Sequence, residues 1–256
     1  MSTDLYQAPE SIDPAPEPRL RRKSKLIPLL VLIAIMPVMF VLTKPAYDGA
    51  RTAAIRAQCA SRLKQIALAL SAYESEYNAL PPAFTIDADG RPLHSWRTLI
   101  LPYLEQKDLY ATIDLSKPWN DPANAKAMAT PIDVYRCPLS RAPATSTSYL
   151  ATVADNGCLL PTRPRALADI KDNHYSTLML IEASDEKSPP WMAPTDADED
   201  LLLSLGSPKS NFHHPGGMNA GFVDGSAHSL KANTKPDVLR ALFSISGGEI
   251  TEFADY

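Results

Sequence analysis

Residues 26–42 form an uncharged apolar run of about 17 residues, close to the shortest helix that crosses the hydrocarbon core of a bilayer. Directly before it stands Arg19-Leu-Arg-Arg-Lys-Ser-Lys25, a dense positive cluster. Nothing else in the chain restricts the fold as much, because a run without a polar face cannot lie one-sided on a soluble core and is matched by lipid. Basic residues stay on the cytoplasmic side, so the N-terminus is expected in the cytoplasm and everything after Lys44 outside. A cleaved signal peptide is the rival reading, but its apolar core runs to about 7–15 residues and ends in a small-residue site that is missing here. The expected organisation is a disordered, basic cytoplasmic tail over residues 1–25, a transmembrane helix over 26–43 and an extracytoplasmic domain over 44–256. Pro28 falls near the helix start, where it is tolerated, whereas Pro37 lies inside and should kink or loosen the span.

Past an expected short break at Lys44-Pro45, Ile55, Cys59, Leu63, Ile66, Leu70, Tyr73 and Tyr77 recur at intervals of three and four. That spacing keeps one face of a helix apolar over several turns, and Leu80-Pro81-Pro82 ends it. A shorter helix is expected over residues 95–106, with Pro102 as its difficulty. Strands are expected over 134–138, 148–153 and 176–182, the last being the clearest buried strand. Residues 184–200 are acidic and proline-interrupted and read as an exposed insertion. Met218 to Val223 can then run as a strand into Asp224-Gly225, a pair suited to a two-residue type I′ turn, with Ala227 to Leu230 returning. A small helix over 236–243 closes the pattern. Helices followed by strands imply an α+β fold, a long N-terminal helix packed on an antiparallel sheet. With 24 prolines against 10 glycines, its connections should be stiff and irregular.

A net charge of −4, with no basic stripe beyond the N-terminal cluster, argues against nucleic-acid binding. Cys59, Cys137 and Cys158 do not fall at zinc-finger spacings, which excludes a four-thiolate or C-x-x-C site within one chain. In an oxidising compartment one disulfide and one free thiol are expected, Cys137 pairing with Cys59 or with Cys158. The plainer reading is three buried small hydrophobes. His213, His214, Asp224 and His228 lie close in sequence around the hairpin, and His214 with Asp224 is the candidate metal pair, zinc being the ion that imidazole and carboxylate suit. Asp224 and Gly225 serve the turn on the structural reading. Asp196, Asp198, Glu199 and Asp200 offer oxygen ligands for calcium but lack the EF-hand spacing. No G-x-S-x-G, S-x-x-K or phosphate-binding glycine loop occurs, so no catalytic residue is assigned and no enzyme is expected. Glu182, ending a buried strand, is the carboxylate with the most suggestive setting.

Positive cluster, apolar span, amphipathic helix and small sheet follow the order of type IV pilins and type II secretion pseudopilins. Arg56-Ala-Gln-Cys59-Ala-Ser-Arg-Leu63-Lys-Gln-Ile-Ala-Leu-Ala-Leu70, Leu80-Pro-Pro-Ala83, Ser95-Trp-Arg97, Leu101-Pro-Tyr-Leu-Glu-Gln106, Tyr135-Arg-Cys-Pro138 and His214-x9-Asp224-Gly225 together resemble the bacterial pilin-like family called domain of unknown function 1559, across roughly residues 30–250. The resemblance implies a pilin-like fold and a single-pass protein of the bacterial inner membrane with a periplasmic domain. It would be a structural or interaction component that meets lipid through residues 26–43 and binds envelope or secretion-type proteins. The alternative is a tethered domain that captures a solute, a glycan or calcium. The sequence departs from the family's prepilin peptidase signal, with Lys23 at the place of the cleavage glycine and Pro28 at that of the intramembrane glutamate. An uncleaved anchor follows, since that glutamate's usual partner is the amine released by cleavage and an unpaired charge in lipid is expensive.

Overall fold

The computed structural model describes residues 26–205 and 211–248. The tail and basic cluster expected over residues 1–25 lie outside them. Two compact units divide the chain, residues 1–48 and 49–256. In the first, helix α1 (Leu26–Tyr77) begins, and its large apolar side chains between Leu29 and Leu42 are all exposed. An apolar window of this kind with no buried residue is not a core helix. Among the described residues α1 is the one helix long and apolar enough to cross a membrane.

The expected break at Lys44-Pro45 does not occur. The helix carries both Pro37 and Pro45 inside it. Proline deprives the carbonyl four residues back of its donor. Around Pro45 two local contacts support the turn: Thr43 Oγ1 donates to Met39 O at 2.8 Å, and Lys44 Nζ lies 3.2 Å from Asp48 Oδ2, an i,i+4 ion pair across the proline.

In the second unit the stripe read from the sequence is buried at Cys59, Leu63, Ile66 and Leu70 and loosens outward through half-buried Tyr73 to exposed Tyr77. Burying each such Leu or Ile contributes about 1.5–3 kcal/mol, which fixes the helix face without any special contact. Asn78, with φ +57°, ends the helix in the left-handed conformation before the prolines. Strands β1 (Phe84–Ile86) and β2 (Pro92–Ser95) form an antiparallel pair. The main sheet is antiparallel, β3 (Tyr149–Ala151), β4 (Leu178–Glu182), β5 (Gly217–Phe222) and β6 (Ala227–Lys231) lying side by side in chain order. The fold is thus α+β with a long N-terminal helix on an antiparallel sheet, as expected.

Leu63, Ile66 and Leu70 of α1 share a core with Tyr149, Ala151 and Leu180. A second core joins Leu150, Ile181 and Phe222 to Leu239, Leu242 and Phe243 of α6 (Pro236–Phe243). The sheet is therefore covered on both faces, which explains why β4 and β5 are buried throughout instead of alternating with solvent. Short helices α2 (Trp96–Leu99), α3 (Lys107–Tyr110), α4 (Ala125–Met128) and α5 (Glu199–Leu205) fill the connections.

Four local expectations are corrected. The helix expected over 95–106 stops at Leu99 and resumes as a 3-10 turn, Leu101–Tyr103, because Pro102 has no N–H to continue the helix and is placed in the first turn of the new piece, where none is needed. The strand expected over 134–138 is instead a 3-10 turn, Asp133–Tyr135, leading to Cys137. Residues 184–200 are not an exposed insertion: Trp191, Met192, Ala193 and Ala197 are buried, and Arg97 Nη1 meets Asp196 Oδ1 at 2.7 Å with both side chains almost wholly enclosed. The β5–β6 turn is not type I′, since only Gly225, at φ +84°, has a positive φ. Gly225 N donates to Phe222 O at 3.0 Å and Phe222 N to Ser226 O at 2.9 Å, a three-residue loop with a left-handed glycine last.

Candidate functional site

Cys59 lies in the buried stripe of α1, and two arginines one turn either side of it hold neighbouring loops to the helix. The Arg56 guanidinium donates to Pro215 O and that of Arg62 to Arg136 O. These carbonyls adjoin His214 and Cys137, so the helix draws both residues toward Cys59. Cys137 N donates to Ser148 Oγ at 3.0 Å, which ties that loop to the start of β3. Glu182 is the last residue of β4, and its side chain stands on the α1 face of the sheet. His213 and His214 precede β5 in a bend closed by Gly217 N donating to His214 O, with Gly216 at φ +85°.

Four side chains from these distant segments meet. The Sγ atoms of Cys59 and Cys137 are 3.0 Å apart, and both thiols are free. Cys137 Sγ lies 3.6 Å from His214 Nε2, which lies 3.4 Å from Glu182 Oε1. All four residues are buried, and their ligand atoms lie within 4.8 Å of one another. Around them Asn219 Nδ2 and N donate to Glu182 Oε2 at 2.7 and 3.2 Å. The His213 ring bridges two carboxylates, Nδ1 to Glu182 Oε1 at 3.3 Å and Nε2 to Asp185 Oδ1 at 2.8 Å.

Charge follows this geometry. The hydrogen bond with Cys137 holds the Cys59 thiol well below its usual range, against burial, and the same bond together with burial pushes Cys137 up. Burial would pull His214 down, but Cys59 and Glu182 outweigh it and raise it to about 9. Burial likewise opposes ionisation of Glu182, yet bonds from His213 and His214 hold it well below the usual carboxylate range. The cluster can therefore store a thiolate and an imidazolium, pair its sulfurs or grip a cation.

Among the residues singled out from sequence, Cys59 and Cys137 are brought together, and Cys158 lies apart in the core, where burial raises its thiol to about 12. His214 and Asp224 are not brought together. They flank opposite ends of β5, whose six residues span roughly 20 Å at about 3.3 Å each. Asp224 instead shapes the turn, Oδ1 accepting from Ser226 N at 2.9 Å, beside left-handed Gly225. The two adjacent histidines, which a strand would turn to opposite faces, both reach Glu182 because a bend carries them. The calcium candidates are engaged separately: Asp196 with Arg97, Asp198 Oδ1 accepting from Leu201 N at the start of α5, and Glu199 with Arg240. Glu182 was legible as a buried carboxylate; Asn219 and Arg56 carried no signal of their own.

Residues 48–157 match a family model described as a protein of unknown function (DUF1559). Over that stretch, somewhat under half of the chain, the sequence is similar to the DUF1559 family. The DUF1559 segment holds Cys59, Cys137 and the arginines beside Cys59, whereas Glu182, His213, His214 and the Asp224-Gly225 turn lie beyond it. No curated protein and no solved structure matches the chain.

Proposed function

We propose that the chain is a membrane-anchored, pilin-like structural or interaction component of the bacterial cell envelope. Residues 26–43 hold it in the inner membrane, the N-terminus faces the cytoplasm and residues 44–256 are displayed in the periplasm. It meets envelope or secretion-type proteins and performs no chemistry of its own. The observation that carries this reading is helix α1, whose exposed apolar beginning needs lipid and whose later turns pack on an antiparallel sheet. The similarity of residues 48–157 to the DUF1559 family agrees with it. Lys23 and Pro28, standing at the peptidase-signal positions, support an anchor that is not processed. A mature chain found by mass spectrometry to begin at Ser24 contradicts that.

In-cell photocrosslinking tests the role. Arg56 is held by Pro215, so probes belong on the outward face of the helix, at Gln65 or Leu68, both exposed. Adducts with a second copy or with an envelope protein are expected. Absence of any protein adduct from both positions, in cells where the chain is abundant, contradicts the reading.

One feature favours ligand capture as a second reading. A cleft of about 370 Å³ is lined by Tyr73, Tyr77, Tyr103 and Tyr110, with Glu76 and Lys107 beside them. Aromatic faces with a polar rim suit a sugar ring. Thermal shifts with oligosaccharides, lost in Tyr110→Ala, would support it.

A further inference from the structure

The buried cluster has the donor set and spacing of a cation site that neither the family description nor the anchoring role assigns. We propose that Cys59, Cys137, His214 and Glu182 bind one zinc-class divalent cation. Two sulfurs, one imidazole and one carboxylate oxygen are ligands that zinc accepts, and four protein ligands make a closed site of structural type. A tetrahedral centre with zinc bonds of about 2.3 Å to S, 2.05 Å to N and 2.1 Å to O has edges of about 3.6 Å (S to N), 3.4 Å (N to O) and 3.8 Å (S to S). The first two match the 3.6 Å between Cys137 Sγ and His214 Nε2 and the 3.4 Å between His214 Nε2 and Glu182 Oε1. The sulfurs, 3.0 Å apart, fall between that edge and the roughly 2.0 Å of a disulfide, so they must part by less than an ångström to admit the ion.

The surroundings suit a metal site as well. Asn219 occupies Glu182 Oε2 through two hydrogen bonds and leaves Oε1 turned toward His214. His213 steadies the same carboxylate and is itself fixed by Asp185, the outer partners by which ligating groups are oriented. A cleft of about 440 Å³ lined by Asp185, Glu186, Arg141 and His213 lies next to the cluster, and His213 touches both the cleft and Glu182. Binding requires two thiolates and a neutral imidazole, so whatever protons the two sulfurs and the His214 ring carry pass to solvent, and no oxidant is needed. The ion would staple α1 to the ends of β4 and β5 and to the Cys137 loop, segments far apart in sequence. This inference is independent of where the protein resides.

The test uses the full chain in detergent, reduced with a phosphine, and cobalt(II) as a probe. One equivalent should bind with the intense visible absorption of a tetrahedral centre and the thiolate-to-cobalt band. Cys59→Ser and His214→Ala should abolish both signals, and Cys158→Ser should leave them unchanged. Asn219→Ala should weaken binding about 10- to 100-fold while the four ligands persist, as removal of an outer partner does. Wild-type protein that melts cooperatively after reduction yet binds no cobalt overturns the site. So does binding that survives Cys59→Ser, or that Cys158→Ser abolishes. A Cys59–Cys137 disulfide that persists in the folded protein under phosphine and blocks cobalt also overturns it.

Discussion

Replacing Arg97 by Met keeps the aliphatic bulk of the side chain and removes its guanidinium from an almost wholly enclosed ion pair. Arg97 is fully buried and donates to Asp196 Oδ1 at 2.7 Å, Trp191 O at 3.0 Å, Ala193 O at 3.1 Å and Thr195 O at 2.7 Å. Trp96 Nε1 and Ala151 N, both at 2.9 Å, remain on Asp196 in the variant, but the charge is left without its partner. Breaking a buried pair from one side costs about 3–5 kcal/mol, a large share of the roughly 5–15 kcal/mol that stabilises a domain. For a unit of this size, at about 2–4 °C per kcal/mol, the melting temperature should fall by roughly 6–20 °C. Burial already pushes the Asp196 carboxyl up, against the pull of Arg97, so without Arg97 the acid takes up a proton. A raised folded pKa means that stability is lost as pH rises, and the deficit should therefore grow with pH. Trp96 and Trp191 flank the pair, the guanidinium lying 5.0 Å from the Trp96 ring centre, so tryptophan fluorescence follows the melt. Adding Asp196→Asn removes the stranded charge and keeps an acceptor, and should recover about 1–3 kcal/mol. A melting temperature within 2 °C of wild type for Arg97→Met, or a double variant no better than the single, refutes the reasoning.

Gly217→Ala places a Cβ about 1.9 Å from Leu230 O, a backbone atom that cannot step aside, so β5 and β6 must part. Loss of the cooperative melt is expected; an unchanged one contradicts the pairing. Gly225→Val meets no neighbour but forces a β-branched residue to φ +84°, at a cost of about 1–3 kcal/mol read as a lower urea midpoint. Burial pulls the His94 ring below its ordinary value of 6.5, and its Nε2 faces Lys117 O at 2.8 Å. Such a group contributes stability that is present above 6.5 and lost as pH falls through the lower folded value. The stability advantage of wild type over His94→Gln should therefore shrink in melts taken below that pH, and a gap that widens on acidification contradicts the buried neutral ring.

What the sequence made legible was local. The period of α1 named its buried stripe from Cys59 to Leu70, Asp224-Gly225 marked the place of the hairpin turn though not its type, and the final helix fell where its pattern put it. The misreadings came where tertiary contacts override composition. Residues 184–200 look solvated by charge and proline content, yet Asp196 is drawn inside by Arg97, about a hundred positions earlier. Tyr135 and Cys137 have strand-like residues around them, but the chain there turns to hand its carbonyls to Arg62 and Ser148. The site shows the same limit. Glu182, Cys59, Cys137 and His214 come from four segments with no shared spacing, so Cys59 and Cys137 could be named as a candidate pair, but their meeting with Glu182 and His214 was not visible. His214 and Asp224, close in sequence, are held apart by the extended strand between them.

The central claim is permanent anchoring by the apolar start of α1, and sedimentation after alkaline carbonate treatment tests it most directly. Membranes from cells producing the full chain should keep it in the pellet, uncleaved in mass, and yield it only to detergent. Recovery of the intact chain in the carbonate supernatant would contradict the account.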